Sequence, residues 1–290
     1  MRRVLIYRVL VALLLSLLCF GVARAQAFAV TQSAPLEKYV VVYGTKIHYV
    51  EAGTGPTVIL LHGLGGSTNN WALSIAPLAA KFHVVVPDQI GFGKSDKPLI
   101  TYRIATYVDF LDQFCKQLNV ERASLVGNSM GGWVAAAYSI AFPERVDRLV
   151  LVDAAGYAPP ANFDMRTLYG LNPSTRAGMK LVASKVFYNK LFSSDPVIEQ
   201  ALAQRISAGD GYTINSIIES IGRREDFIDD RVKTIKQPTL IVWGREDGLT
   251  PLADGERFKR DIPNSTLLIF DQCGHVPNFE KPAEFNAAVL

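Results

Sequence analysis

From Glu37 onward the chain alternates short apolar runs with longer amphipathic ones. Tyr39–Tyr43 and Lys46–Glu51 flank Gly44-Thr45, the pattern of a hairpin. Six more runs follow: Thr57–Leu61, His83–Val86, Ala123–Val126, Arg148–Val152, Thr239–Trp243 and Thr266–Phe270. Each is too short for a helix, and near-continuous apolarity suits strands buried on both faces of a parallel sheet. Between them, Tyr102–Leu118 places Tyr107, Phe110, Leu111, Phe114 and Leu118 at a spacing near 3.6, and Gly131–Ala141 is small and apolar. Strands separated by helices predict an α/β fold with a doubly wound, mostly parallel sheet. The alternation breaks between about Tyr157 and Lys236, where helical patterning continues without a strand, entered at Pro159-Pro160 and left at Pro238. We expect an inserted helical cap at 157–236 on a core built from 26–156 and 237–290.

Charge narrows the partners. The formal net charge is +3, but residues 1–25 hold Arg2, Arg3, Arg8 and Arg24 and no acid. The remainder has 26 basic and 27 acidic residues, so nothing favours nucleic acid as a partner. Those first 25 residues read as an export signal: a basic start, an apolar run from Val9 to Val22, and the small-x-small site Ala23-Arg24-Ala25. The expected location is periplasmic or secreted, with an uncleaved N-terminal membrane anchor as the alternative; the run is short for a span. Past the signal two cysteines remain, Cys115 and Cys273. An oxidising compartment permits a bond between them, but two free thiols are the default reading. The last residues, Asn286–Leu290, read as the opening of a final helix, which suggests truncation.

The candidate chemistry lies at strand ends. Gly127-Asn128-Ser129-Met130-Gly131 follows the Ala123–Val126 run and opens a helix, the context in which a nucleophilic serine projects from a strained turn. The motif alone would occur by chance in roughly one chain of this length in ten, so the strand before it and the helix after it carry the argument. Of the four histidines, only His275 follows Ser129, in the loop after the last strand; it is the candidate base. The acid that fixes the imidazole tautomer must lie between them at a strand end. Asp247, after Thr239–Trp243, fits; Asp153, ending the preceding strand, and the adjacent Glu246 are its rivals. For the developing oxyanion, the N–H of Met130 is the first donor, and that of Leu64 in His62-Gly63-Leu64-Gly65-Gly66 the second. His62 itself reads as a structural imidazole holding that loop. Aromatic and sulfur side chains of the cap, Phe163, Met165, Tyr169, Phe187 and Tyr188, are candidates for the substrate pocket.

His62–Gly65, the run Asp88-Gln89-Ile90-Gly91-Phe92-Gly93-Lys94-Ser95-Asp96, Gly127–Gly132, Gly244–Asp247 and Gly274-His275 together resemble the α/β-hydrolase superfamily over nearly the whole mature chain. The resemblance implies a serine hydrolase needing no cofactor and no metal, acting on small ester or lipid-like substrates in the esterase or lipase range. Gly127–Gly132 and Cys273–His275 also resemble the carbon–carbon hydrolases of aromatic ring fission. Against these, the oxyanion loop lacks an expected glycine and proline, and Val276 stands where that group tends to carry tryptophan. Epoxide hydrolases and haloalkane dehalogenases carry aspartate at the position of Ser129, which disfavours both; perhydrolase activity is a conceivable side reaction. A non-catalytic binding protein on the same fold is the alternative from another class. Acyl specificity and oligomeric state are not legible.

Overall fold

The computed structural model describes residues 34–290; the expected export signal at residues 1–25 lies outside them. Its sheet is built from β1 (Leu36–Val42), β2 (Thr45–Ala52) and β3 (Thr57–Leu61), then, after α1 (Ala72–Ala79), β4 (His83–Pro87). Next come α2 (Ile104–Gln117), β5 (Ala123–Asn128), α3 (Met130–Ala141) and β6 (Val146–Val152). A helical excursion of α4 (Arg166–Tyr169), α5 (Arg176–Val186), α6 (Asp195–Ser207) and α7 (Gly211–Gly222) leads back to β7 (Thr239–Gly244), α8 (Leu252–Asp261) and β8 (Ser265–Phe270). Two helices close the chain, α9 (Pro277–Glu280) and α10 (Pro282–Val289).

The eight strands pair in the order β1-β2-β4-β3-β5-β6-β7-β8. The β1–β2 and β2–β4 pairs are antiparallel and the others parallel. The fold is therefore the doubly wound α/β sheet that the apolar runs predict. Alternate residues of the central strands feed two cores. On one face Ile59, Leu61, Leu125, Leu149, Leu151 and Ile241 meet α2, α3 and α8; on the other Val58, Leu60, Val126, Val152 and Val242 meet α1 and α10. Both faces being covered is why these strands read as unbroken apolar runs.

Helix α1 contains Pro77, which cannot donate to the carbonyl four residues back, that of Leu73. The side-chain amide of Asn286 on α10 donates to that freed oxygen at 2.9 Å. The helix defect is satisfied from the far end of the chain, and Trp71 packs against Phe285 beside it. Within the excursion, α5 and α6 share a small core of Met179, Ala183 and Ile198.

Cys115 and Cys273 are both buried and unbonded. Burial pushes the Cys115 thiol up to about 12, and burial also raises that of Cys273. Thiolate is the reactive form, so neither should react with a disulfide reagent at pH 8 in folded protein, and both should react on denaturation. Thiol titration with and without guanidinium measures this.

Candidate active site

Strand order fixes where a site can form. Sheet growth reverses direction between β3 and β5, and ligands of such sheets bind outside the carboxyl ends at that switch point. The loops after β3, β5, β7 and β8 carry His62–Leu64, Ser129, Asp247 and His275 to that edge.

Ser129 occupies the turn between β5 and α3 with φ 57° and ψ −120°. Such a backbone costs about 1–3 kcal/mol. Its N–H donates to Val152 O at 2.9 Å, and its carbonyl accepts from Trp133 N at 3.1 Å and Ala155 N at 3.0 Å. At about 0.5–1.5 kcal/mol each, these three bonds are enough to hold the strained turn. The turn also needs close packing: a β-carbon on Gly131 would stand 2.2 Å from Leu61 O. The loop after β3 lies on the other side of the nucleophile, where a β-carbon on Gly63 would be 3.1 Å from the Ser129 Cβ. Met130 N–H belongs to the first turn of α3, which has no intrahelical acceptor, and Leu64 N–H has no backbone partner among the described residues. Both expected oxyanion donors are thus available beside Ser129.

His62 is fully buried, and desolvation holds it neutral by lowering its pKa. Its Nδ1 faces Gly63 O at 2.8 Å and so carries the proton; its Nε2 accepts the Gln89 N–H at 3.0 Å. It holds the loop. Asp88 does similar work, accepting from the N–H groups of Thr68 and Lys94 at 2.6 and 2.8 Å and facing His48 Nδ1 at 2.7 Å.

His275 Nδ1 and Asp247 Oδ2 are 2.7 Å apart, and both groups are buried. Asp247 also accepts from the N–H groups of Leu249 and Thr250 at 2.7 and 3.1 Å and from the Thr250 hydroxyl at 2.6 Å. Burial pushes the Asp247 carboxyl up, but the charge of His275 and the bonds from His275, Thr250 and Leu249 outweigh it and leave the pKa low. An ionised acid therefore faces the imidazole. The rival Glu246 turns away and accepts from Cys273 N at 2.9 Å. Asp153 is fully buried behind Asp247; burial first, then the charge of Asp247, raise its pKa well above the usual range.

Three contributors carry no motif. Thr250 joins acid and base: its hydroxyl lies 3.3 Å from His275 Nδ1 while bonding Asp247. Asn128, just before the nucleophile, donates its amide to the His275 carbonyl at 3.0 Å and to Val152 O at 3.1 Å, tying the nucleophile strand to the base loop. Glu280 accepts from Gly274 N at 2.7 Å and from Asn189 N at 2.8 Å, joining the base loop to the segment after α5. The only available sequence signal was the proximity of Asn128 and Thr250 to the two motifs.

A cavity of about 550 Å³ opens over the oxyanion loop and beside Val276. Phe187 lines it; Phe163, Met165, Tyr169 and Tyr188 do not. Its apolar walls are instead Leu171, Pro173, Met179, Val182 and Ala201 from the helical excursion, Val276 from the base loop and Phe279 of α9; between them lie the polar Ser67, Asn69, Asn70, Gln204, Ser207 and Asn278. The single-turn α4 carries Tyr169 outward, 46% exposed, while Met165 packs on the main core and Tyr188 is 41% exposed. Among the lining residues only Arg205 and Asp210 are charged, and they pair with each other.

A strained serine at a strand–helix turn with a buried Asp–His pair defines a hydrolase of the nucleophile-elbow class. The comparisons agree. A sequence profile of the alpha/beta hydrolase fold family matches residues 56–282, and the chain belongs to that family. It is 30% identical over 269 residues to 2-hydroxymuconate semialdehyde hydrolase of Pseudomonas sp. strain CF600, covering 89% of this chain and 94% of that one. Among solved structures, a meta-cleavage product hydrolase of Pseudomonas fluorescens IP01 superposes with TM-score 0.80 at 31% identity, over 87% of this chain and 95% of its own. A membrane phospholipase A, a bacterial virulence factor, matches with TM-score 0.80 at 29% identity over 100% of this chain and 97% of its own.

Two outcomes follow from the electrostatics. Hydrogen bonds to charged groups are worth about 1.5 kcal/mol or more, close to a tenfold rate factor. Thr250→Val should therefore lower kcat about tenfold and leave KM nearly unchanged, by steady-state kinetics. The second concerns stability. An unfolded aspartate loses its proton near pH ~4, whereas folded Asp153 keeps it to higher pH. Above that pH the folded chain binds more protons than the unfolded one, so this group lowers stability as pH rises. The melting temperature of Asp153→Asn relative to native protein should rise steadily between pH 5 and 8; a constant difference would contradict the assignment.

Proposed function

We propose that the protein is an exported carboxylic ester hydrolase acting through an acyl-enzyme. Ser129 Oγ attacks the ester carbonyl while His275 Nε2 takes its proton, and Asp247 stabilises the imidazolium and fixes its tautomer. The amides of Leu64 and Met130 receive the oxyanion. Collapse of the tetrahedral adduct expels the alkoxide, which His275 protonates; water activated by the same base then releases the acid and restores Ser129.

The observation that carries the ester reading is the cavity. Its walls mix apolar side chains with the uncharged Ser67, Asn69, Asn70, Gln204, Ser207 and Asn278, and its two charges, Arg205 and Asp210, pair with each other. A neutral acyl or alkyl chain fits such a space, whereas a carboxylate would need a cation free to pair with it. The likeness to a membrane phospholipase A, whose class of reaction is ester hydrolysis, supports the same reading. Carbon–carbon hydrolysis is the second reading, favoured by the hydrolases of ring-fission products among its relatives. Export is proposed from the N-terminal segment alone.

A p-nitrophenyl ester series from acetate to palmitate, with Ser129→Ala as control, tests this. Each methylene buried in the cavity is worth about 0.8 kcal/mol, close to fourfold. We expect kcat/KM to climb by up to that factor per carbon, plateau once the cavity is filled, and vanish in the Ser129→Ala protein. Negligible ester turnover with rapid cleavage of a 2-hydroxy-6-oxo-dienoate would select the second reading.

A further inference from the structure

Asp153 ends β6 with φ 43° and no exposed surface. Its Oδ1 accepts the Gly244 N–H at 2.9 Å. Its Oδ2 is buried, and the neighbouring side chain that can share a proton with this carboxyl is Asp247. One carboxylate oxygen each of Asp153 and Asp247 and one ring nitrogen of His275 lie within 4.8 Å of one another. The loop after β6 thus delivers a second acid to the imidazole that Asp247 already serves.

The two carboxyls are not equivalent. Asp247 takes three hydrogen bonds from Leu249 and Thr250 besides the imidazole, and Asp153 takes one. The titratable groups around Asp153 are Asp247, His275, Cys273 and Glu280, and only the imidazole can be cationic. Two buried carboxylates sharing one imidazole cannot both ionise, so one keeps its proton. The carboxyl with fewer donors, Asp153, is the one that does. In this state its carboxyl bonds the Gly244 N–H and adjoins the Asp247 carboxylate. Its position has a consequence when Asp247 is lost: the like charge that suppresses its ionisation goes with it, and one of its carboxylate oxygens already lies within 4.8 Å of a ring nitrogen.

We propose that Asp153 is a reserve acid, a positioning residue able to ionise and hold the His275 imidazole when the Asp247 carboxylate is absent. The proton it gives up goes to solvent, and its oxygen then accepts the Nδ1–H that Asp247 accepts in the native chain. The proposal rests on Ser129, His275 and Asp247 forming a triad, though not on the ester reading.

The test is the rate of fluorophosphonate labelling, in which the Ser129 Oγ–P bond forms, fluoride leaves, and His275 takes the serine proton. It is measured on the full chain for native protein, Ser129→Ala, Asp247→Ala, Asp153→Asn and the Asp247→Ala/Asp153→Asn double variant. Loss of the acid in a triad lowers the rate by about 10⁴. We expect Asp247→Ala to lose only about 10² and the double variant about a further 10². Asp153→Asn should cost less than about tenfold while Asp247 is present, a non-additivity that reports coupling. Asparagine retains the oxygen that accepts from Gly244, so a purely structural Asp153 would give the same factor in both backgrounds and overturn the proposal. Equal rates for Asp247→Ala and the double variant would overturn it too. A low-field Nδ1–H proton resonance of His275 that survives in Asp247→Ala and disappears in the double variant is the accompanying signature. If Asp247→Ala does not fold by circular dichroism, Asp247→Ser, whose hydroxyl retains an acceptor for Leu249 N–H, replaces it with the same expectations. A native chain left unlabelled at Ser129 overturns the triad and this proposal with it; failure of the double-variant comparison in a labelled chain overturns the proposal alone.

Discussion

Everything at this site depends on one backbone conformation, that of Ser129 at φ 57° and ψ −120°. It points the serine out of the sheet and starts α3, so the first-turn amides of that helix face the reacting atoms. The conformation is held by β6 on one side, through Val152 O and Ala155 N, and needs β3 within contact distance on the other. The fit leaves no room at Gly131, where a β-carbon would overlap the Leu61 carbonyl. On the same side Gly63 of the loop after β3 lies against the Ser129 side chain, where a β-carbon would stand 3.1 Å from Ser129 Cβ. Nucleophile and oxyanion loop are therefore placed by a single packing arrangement.

A second constraint is electrical. The site concentrates two carboxyls and an imidazole where water is excluded, and burial alone would push both acids neutral. The His275 imidazole and the donors around Asp247 separate them. Leu249 N–H, Thr250 N–H and the Thr250 hydroxyl all converge on one carboxylate, and that asymmetry assigns the negative charge. The cavity above is handled the other way: Arg205 and Asp210 pair, leaving a lining of apolar and uncharged polar side chains.

The central strands were legible because each is covered on both faces and so written as an apolar run, and the largely exposed β1 because a hairpin turn joins it to β2; the structure extends most strands by a residue or more at an end. Ser129, Asp247 and His275 were legible because the chemistry demands particular residue types at strand ends. Helix α1 was not, since Pro77 interrupts its pattern and its satisfaction comes from Asn286. Nor were Asn128 and Thr250, whose roles depend on contacts 147 and 25 residues away. The cavity walls were misplaced for a related reason. Aromatic content marked Phe163, Met165, Tyr169 and Tyr188, whereas the wall depends on which faces of α5 and α6 turn inward, and those faces carry Met179, Val182 and Ala201 beside Gln204, Arg205 and Ser207. Composition cannot register a rotation about a helix axis.

The helical excursion also does more than roof the cavity. The segment after α5 runs between the loops that carry acid and base. Lys185 O accepts from Gly248 N at 3.1 Å, next to Asp247, and Val186 O accepts from His275 N itself at 2.7 Å. Glu280 then binds the amides of Gly274 and Asn189. The acid and base loops already touch directly, since a β-carbon on Gly244 would meet Gly274 O at 1.9 Å. Moving this segment away would leave the His275 and Gly248 amides to find new partners, at about 1–3 kcal/mol for each buried group left unsatisfied. Substrate access through this side is therefore costly. By contrast, α6 and α7 contribute Ala201, Arg205 and the Asp210 turn to the wall but make no hydrogen bond to either catalytic loop among the described residues, so that side of the cavity is not tied to the acid and base.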